Sequence, residues 1–272
     1  MNTSLTGIDG DDMVRRSMEE SGGELRLLQV SPAVLSRYVK VLSEEEGSVE
    51  VRALVGEGAL KDVMDDFLVA SAASDLIKQG RLELLSTPDD SRRSLVFVGD
   101  SEVMSFVDVG DEIGAVSTDD DEIVSRASDL FGSMWENGEE FGIRTPPASR
   151  IRETLREDIG EDTQEDFDGI LGILETAKGD GEGLDEITVA LLAAARNEIL
   201  LYDISKWGED SGVASKATFS RKKTEMEDNG IIDTENVPID IGRPRLRLKF
   251  ADESLHEAPL EDVVDTAKRA ME

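Results

Sequence analysis

Short runs rich in Leu and Val alternate with longer amphipathic runs through the first half of the chain. Residues 25–30 and 49–55 have the length and composition of buried strands, whereas residues 32–43 and 59–79 place apolar side chains at helical spacing. The predicted order is therefore strand, helix, strand, helix. Residues 81–86, 95–98, 103–109 and 114–117 continue as strands, with Pro88-Asp89-Asp90 and Gly99-Asp100 as turn signals, so this part is a meander. A closing helix over residues 121–137 carries Ile123, Val124, Ala127, Leu130, Phe131, Met134 and Trp135 at spacings of three and four, which makes Trp135 a core residue. The pattern predicts a mixed-sheet α/β domain over residues 23–145. The stretch before it, residues 1–22, is polar and holds Gly7, Gly10 and Gly22; it is expected to be a mobile arm with at most one short helix over residues 11–20.

Pro146 and Pro147 stop a helix and favour an extended connector, so the domain boundary is placed there. Beyond it Ile151, Leu155 and Ile159 line one helix, and Phe167, Ile170, Leu171 and Leu174 line a second that ends at Lys178-Gly179. Residues 146–183 are read as linker helices that join the domains or pair across a dimer. From 184 to 250 the order is helix, helix, helix and two-stranded wing, a C-terminal winged helix-turn-helix domain that makes the whole chain α/β (α+β). Helix one, residues 185–197, is apolar on several faces and should be buried. Helix two begins near Asp203 as N-cap, turns Ile204 and Trp207 inward and ends at Gly212. Helix three opens at Ser215, faces Phe219 and Met226 inward and closes on Gly230. Its outward N-terminal face offers Lys216, Thr218, Ser220, Arg221 and Lys222, group types that suit phosphates and base edges when a helix lies in the major groove. In the wing Leu246, Leu248 and Phe250 alternate with Arg245, Arg247 and Lys249. Gly242 and Pro244 bracket Arg243 at the tip, where a guanidinium suits a narrow A·T-rich minor groove. Residues 251–272 supply a C-terminal helix with Leu260, Val263, Val264 and Ala267 on one stripe, which either pairs across a dimer or packs on its own winged helix.

Charge sharpens this picture. The 272 residues hold 61 Asp and Glu against 29 Lys and Arg, a formal net charge of −32. The acids are spread through amphipathic segments rather than gathered in a tail, which points to a very salty cytoplasm where self-repulsion is screened; an acidic surface that meets a basic partner is the rival explanation. Within residues 216–249, eight Lys or Arg face six acids, a local net of +2 that leaves −34 for the rest. A lone basic segment is usually a solvated face, but helix order, the closing glycine and the Arg-bearing wing together favour DNA. There is no cysteine, and the one histidine is His256, so thiolate chemistry, cysteine-held zinc and histidine-based catalysis lack their parts. No enzyme, cofactor or metal is expected; the run Asp119-Asp120-Asp121 and the pair Gly110-Asp111 read as solvated loops and caps. The apolar stretches, such as residues 190–195, are too short to span a bilayer, and a cytoplasmic location is expected.

The segments Tyr202-Asp203-Ile204-Ser205-Lys206-Trp207-Gly208-Glu209-Asp210, Lys216-Ala217-Thr218-Phe219-Ser220-Arg221-Lys222-Lys223 and Gly242-Arg243-Pro244-Arg245-Leu246-Arg247-Leu248 resemble the haloarchaeal winged-helix regulators called TbsP, and the likeness covers nearly the whole chain. The N-terminal half also resembles the effector domain of TrmB-type archaeal regulators, a relative of the phospholipase D fold. These resemblances imply a transcriptional regulator of central carbon metabolism genes whose N-terminal domain senses a metabolite or mediates assembly. Residues 1–255 lack the histidines that phosphodiester chemistry would need. Gly56 and Gly58, flanking a strand-to-helix turn, are the candidate anion or effector contacts. Lys223 stands where a buried leucine is usual, and its stem is expected to pack while the ammonium snorkels outward. Expected partners are double-stranded promoter DNA, a small-molecule effector and a second copy of the chain, paired through the helices of residues 151–174 or the C-terminal helix. The alternative function is a protein-interaction module whose winged helix and acidic surface bind a basic protein.

Overall fold

The computed structural model describes residues 4–5, 10–45, 47, 49–88, 94–109, 112–178, 184–239 and 244–271. The chain divides into two units, Met1–Met64 with Ala72–Arg144, and Asp65–Ser71 with Thr145–Glu272.

The first unit runs β1 (Ser4–Leu5), α1 (Gly10–Glu20), β2 (Glu24–Leu28), α2 (Pro32–Glu44), β3 (Glu50–Gly56), α3 (Glu57–Met64), then α4 (Phe67–Lys78), whose residues up to Ser71 are assigned to the second unit, β4 (Leu82–Thr87), β5 (Leu95–Val98), β6 (Glu102–Val109), β7 (Glu112–Thr118), α5 (Asp121–Trp135) and β8 (Glu139–Glu140). Among the described residues these strands form one mixed sheet in the order β1-β7-β6-β5-β2-β3-β4-β8. The β2–β3 and β3–β4 pairs are parallel, as their helical crossovers require, and the meander pairs are antiparallel. One sheet face is continuous hydrocarbon, including Leu25, Leu27, Val51, Ala53, Val96 and Met104. On this side α1 packs on β5 and β7, and α3 on β3 and β4. Leu28, Leu54, Phe97 and Val103 form the opposite face, against Val124 and Phe131 of α5. There Phe131 stacks on Trp135 at 5.3 Å, and the Arg26 guanidinium lies 5.0 Å from the Phe97 ring centre.

Two sequence expectations change here. The stretch read as a mobile arm forms β1, paired with β7, and α1, whose Met13, Val14 and Met18 are buried. The single helix expected over residues 59–79 is two helices, because the Asp66 carboxylate caps α4 at the Leu68 N–H, 3.0 Å away. That carboxylate also accepts from Thr176 Oγ1 at 2.6 Å and the Ala177 N–H at 3.2 Å, a clip inside the second unit.

The second unit continues with α6 (Ala148–Asp158), α7 (Glu161–Ile173), α8 (Glu186–Arg196), α9 (Leu201–Ser211), α10 (Lys216–Asp228), the hairpin β9 (Ile232–Val237) and β10 (Arg245–Phe250), a 3-10 turn (Glu253–His256) and α11 (Leu260–Met271). Residues 187–195 of α8 are all buried, which explains the lack of a polar face in that segment. The helices expected to be linkers are part of this core: Ile151, Leu155, Phe167 and Ile170 bury against it, and Trp207 Nε1 donates to Thr154 Oγ1 at 3.0 Å. The stripe of α11 is also spent internally, with Val263, Val264 and Ala267 buried in the same core and α11 packed on α7. Neither apolar face offered for dimerisation is exposed.

Candidate nucleic-acid interface

Three local devices fix α10. Ser215 caps it by accepting from the Thr218 N–H at 3.2 Å, and Gly230 leaves its end with φ +71, the left-handed conformation that favours glycine. Phe219 and Met226 anchor its inner face in the core. Gly208 of α9 permits close approach, since a Cβ there would lie 2.1 Å from the Phe219 ring. The preceding helix starts earlier than the sequence implied: Leu200 is the N-cap of α9, without a side-chain cap, and Asp203 sits inside the first turn. The wing is tied to the chain before α9, because Leu200 forms an isolated antiparallel bridge with Arg247 and the Leu248 N–H donates to the Ile199 carbonyl at 2.9 Å.

The exposed face of α10 is graded. Ala217, Ser220, Arg221 and Thr224 border a shallow groove whose far end is Glu225, Asp228 and Asn229. The N-terminal half thus offers small groups, hydroxyls and a guanidinium beside the positive end of the helix dipole, and the C-terminal half is acidic. This arrangement admits a phosphate backbone at one end and repels it at the other.

The expected contact residues separate by what already holds them. Arg221 is exposed and has no ion-pair partner among the described residues. Ser220 is exposed, with its carbonyl accepting from the Thr224 hydroxyl. Thr218 turns its hydroxyl back to Ser215, at 2.8 Å. Lys216 donates to Glu209, and this hydrogen bond holds its ammonium above the ordinary lysine range. Lys222 differs from expectation: its side chain is only 17% exposed and reaches Asp185 at 3.2 Å and Glu225 at 3.1 Å. Burial pulls that ammonium down, but the two carboxylates outweigh it and its pKa is raised. Lys222 therefore ties α10 to the start of α8. Lys223 is buried along its stem and ends on Glu227 at 2.6 Å, as snorkelling requires.

In the wing, Arg245 stacks 4.0 Å from the centre of the Tyr202 ring and pairs with Asp203 at 3.4 Å. Arg247 lies 3.9 Å from Glu198. Arg243 falls outside the described residues. Tyr202, an exposed ring that orients a wing arginine, was missed in the sequence; an aromatic beside an expected helix start was its only signal. The partners Glu198 and Glu209 were also missed, since two carboxylates among 61 acids give no signal.

Gly56 and Gly58 lie in the first unit, at the end of β3 and in the first turn of α3. The Gly56 N–H donates to Gln29 Oε1 at 3.0 Å, so one donor that an anion would use is engaged. Asp120 of the acidic run caps α5 by accepting from the Glu122 and Ile123 N–H groups. Among the described residues no group of three or more His, Cys, Asp or Glu converges to hold a metal, and no helix is long and apolar enough to cross a membrane.

Comparison with known proteins gives the following. The family model "Transcriptional regulator TbsP-like, N-terminal" matches residues 2–146, and "Transcriptional regulator TbsP-like, C-terminal HTH domain" matches residues 147–268. No curated protein matches the chain. Among solved structures, the archaeal chromatin protein TrmBL2, whose structure is described as showing a novel mode of DNA binding, is 19% identical over 52% of this chain at a TM-score of 0.37; the chain spans 54% of its length. Nuc from Salmonella typhimurium, a phospholipase D family member, is 10% identical over 52% of this chain and 99% of its own at 0.37. NucT from Helicobacter pylori is 12% identical over 52% and 99% at 0.35. With its two halves matched in order and a three-helix-and-wing unit in the second, the chain belongs to the TbsP-like family of helix-turn-helix transcriptional regulators.

Proposed function

We propose that this regulator reads specific promoter sequences by placing the N-terminal half of α10 in the major groove while the wing follows the flanking backbone. The observation that carries this reading is the graded face of α10, where Ser220 and Arg221 stand exposed at the positive end of a helix anchored by Phe219 and Met226. In this reading Arg221 contacts a base edge, Lys216 and Thr218 contact phosphate or sugar, and Arg243, Arg245 and Arg247 meet the flanking duplex. Lys222 holds the frame and does not reach DNA. Two copies act together on paired half-sites, since one winged helix reads only a short stretch of duplex. Light scattering in molar KCl should then give twice the 29.7 kDa of one chain, and a concentration-independent monomer mass would rule the pairing out.

The resemblance to TbsP and TrmB-type regulators supports genes of central carbon metabolism as targets and a metabolite-sensing or assembly role for the N-terminal unit, in a cytoplasm of high salt. Gly56 and Gly58 remain the proposed effector contacts, with the Gln29 side chain as the group an anion would displace. The test of the DNA reading is titration of a promoter fragment and an unrelated duplex of equal length in molar KCl. Retention of the promoter fragment at concentrations that leave the unrelated duplex free is the expected result. Failure to retain any duplex at any salt would favour a protein-binding module.

A further inference from the structure

The cations of the candidate face fall into distinct groups by the exposure of their ion pairs. Lys222 and Lys223 are held by buried or half-buried carboxylates, one of which, Asp185, also caps α8 through Thr188, so these pairs belong to the frame. Arg221 and Lys249 have no ion-pair partner among the described residues. Between these extremes stand three pairs with both members in water. Lys216 and Glu209 are 43% and 48% exposed, Arg245 and Asp203 36% and 42%, Arg247 and Glu198 38% and 59%. Pairs this exposed are weak and exchange readily for another anion.

We propose that Glu198, Asp203 and Glu209 are specificity-determining residues, each holding a DNA-facing cation that is surrendered to phosphate only when α10 also fits the bases. This assignment rests on the DNA reading above. Asp203 and Glu209 belong to α9 and Glu198 to the turn just before it, so the competing anions lie close together along the chain. Their effect follows from ion counting. A cation that neutralises a phosphate releases about 0.9 of a condensed counterion, and this release drives non-specific binding. A carboxylate stripped of its lysine or arginine recruits a counterion of its own, which offsets the release. Non-specific duplex therefore gains little from Lys216, Arg245 and Arg247. A matched site adds base contacts, which ion exchange does not cancel.

The test compares the full-length parent with the triple variant Glu198→Gln, Asp203→Asn, Glu209→Gln on operator and on unrelated duplex, across a fourfold range of KCl. Asp265→Asn serves as a second variant; it removes an exposed carboxylate of α11, outside the candidate interface, that no ion pair among the described residues uses. The triple variant should bind unrelated duplex more tightly at the low end of the range. Its log–log salt slope should be steeper by about 2.7, so that it loses roughly 40-fold more affinity than the parent across the range. Its ratio of operator to unrelated affinity should fall, and Asp265→Asn should keep the parental slope. Equal slopes for the parent and the triple variant, with the parent still selecting its operator, would overturn this assignment alone. The same result follows if Asp265→Asn steepens the slope as much per charge, because the carboxylates would then act only as bulk charge. A parent that retains no duplex removes the DNA reading and this assignment together.

Discussion

Gly208 and Glu186 show how single positions set the recognition surface. Gly208 lets α10 lie against α9, and an added methyl would meet the Phe219 ring at 2.1 Å. Gly208→Ala should cost about 1–3 kcal/mol by overpacking and should weaken operator binding, since Phe219 anchors the helix that carries Arg221. Gly172→Ala, in α7, meets nothing within 4 Å and should be neutral or stabilise by about 0.5–1 kcal/mol, so urea melts of the two variants should move in different directions. Equal loss in both would mean that helical glycine here answers to something other than the close approach.

Glu186 sits one residue after the cap of α8, and burial pushes its carboxyl up to about 7, with its own N–H and Lys222 opposing and Asp185 and Asp65 adding to the rise. The unfolded chain releases this proton near 4.5, so stability from this group falls as pH rises from about 4.5 to about 7 and stays reduced above. At roughly 1.4 kcal/mol per unit, Glu186→Gln should raise the unfolding free energy by on the order of 3 kcal/mol at pH 8 and leave it nearly unchanged at pH 4. Urea melts at the two pH values check the difference; a gain of equal size at both would show that the charge is not the cause.

Whole elements were legible wherever their ends were marked locally. α8 and α10 begin after Asp185 and Ser215, which accept from Thr188 and Thr218, and Gly230 closes α10, so the sequence placed these helices to within a residue. The start of α9 was misread because its cap, Leu200, carries no polar side chain, and Asp203 looked like one. The break between α3 and α4 escaped because the apolar spacing runs through it, and the anchoring groups of Asp66 lie 110 and 111 residues further along the chain. For α6, α7 and α11 the stripes were correctly apolar, but a stripe does not say which surface covers it, and here it is their own core. Side-chain partners were the least legible. Lys222, read in the sequence as an outward cation, is held by Glu225 one turn along α10 and by Asp185, the cap of α8, a partner distant in sequence.

Across the whole molecule, a net charge of −32 dominates the response to salt. With a Debye length of roughly 30 Å at 0.01 M, the carboxylates repel across each unit, and at about 1 M the length is roughly 3 Å. The melting temperature should rise steeply along a KCl series. A flat profile would point to a basic partner as the reason for the acidity.

The same screening removes most non-specific attraction to DNA, so recognition in high salt must lean on base contacts, and Arg221 is an exposed cation on α10 with no ion-pair partner among the described residues. The most direct measurement is the affinity of the parent and of Arg221→Ala for matched and base-substituted operators at one fixed molar KCl concentration. Arg221→Ala should lose about 1–3 kcal/mol on the matched operator and little on the substituted one, so that discrimination collapses. An Arg221→Ala protein that discriminates as the parent does would contradict the placing of α10 in the major groove.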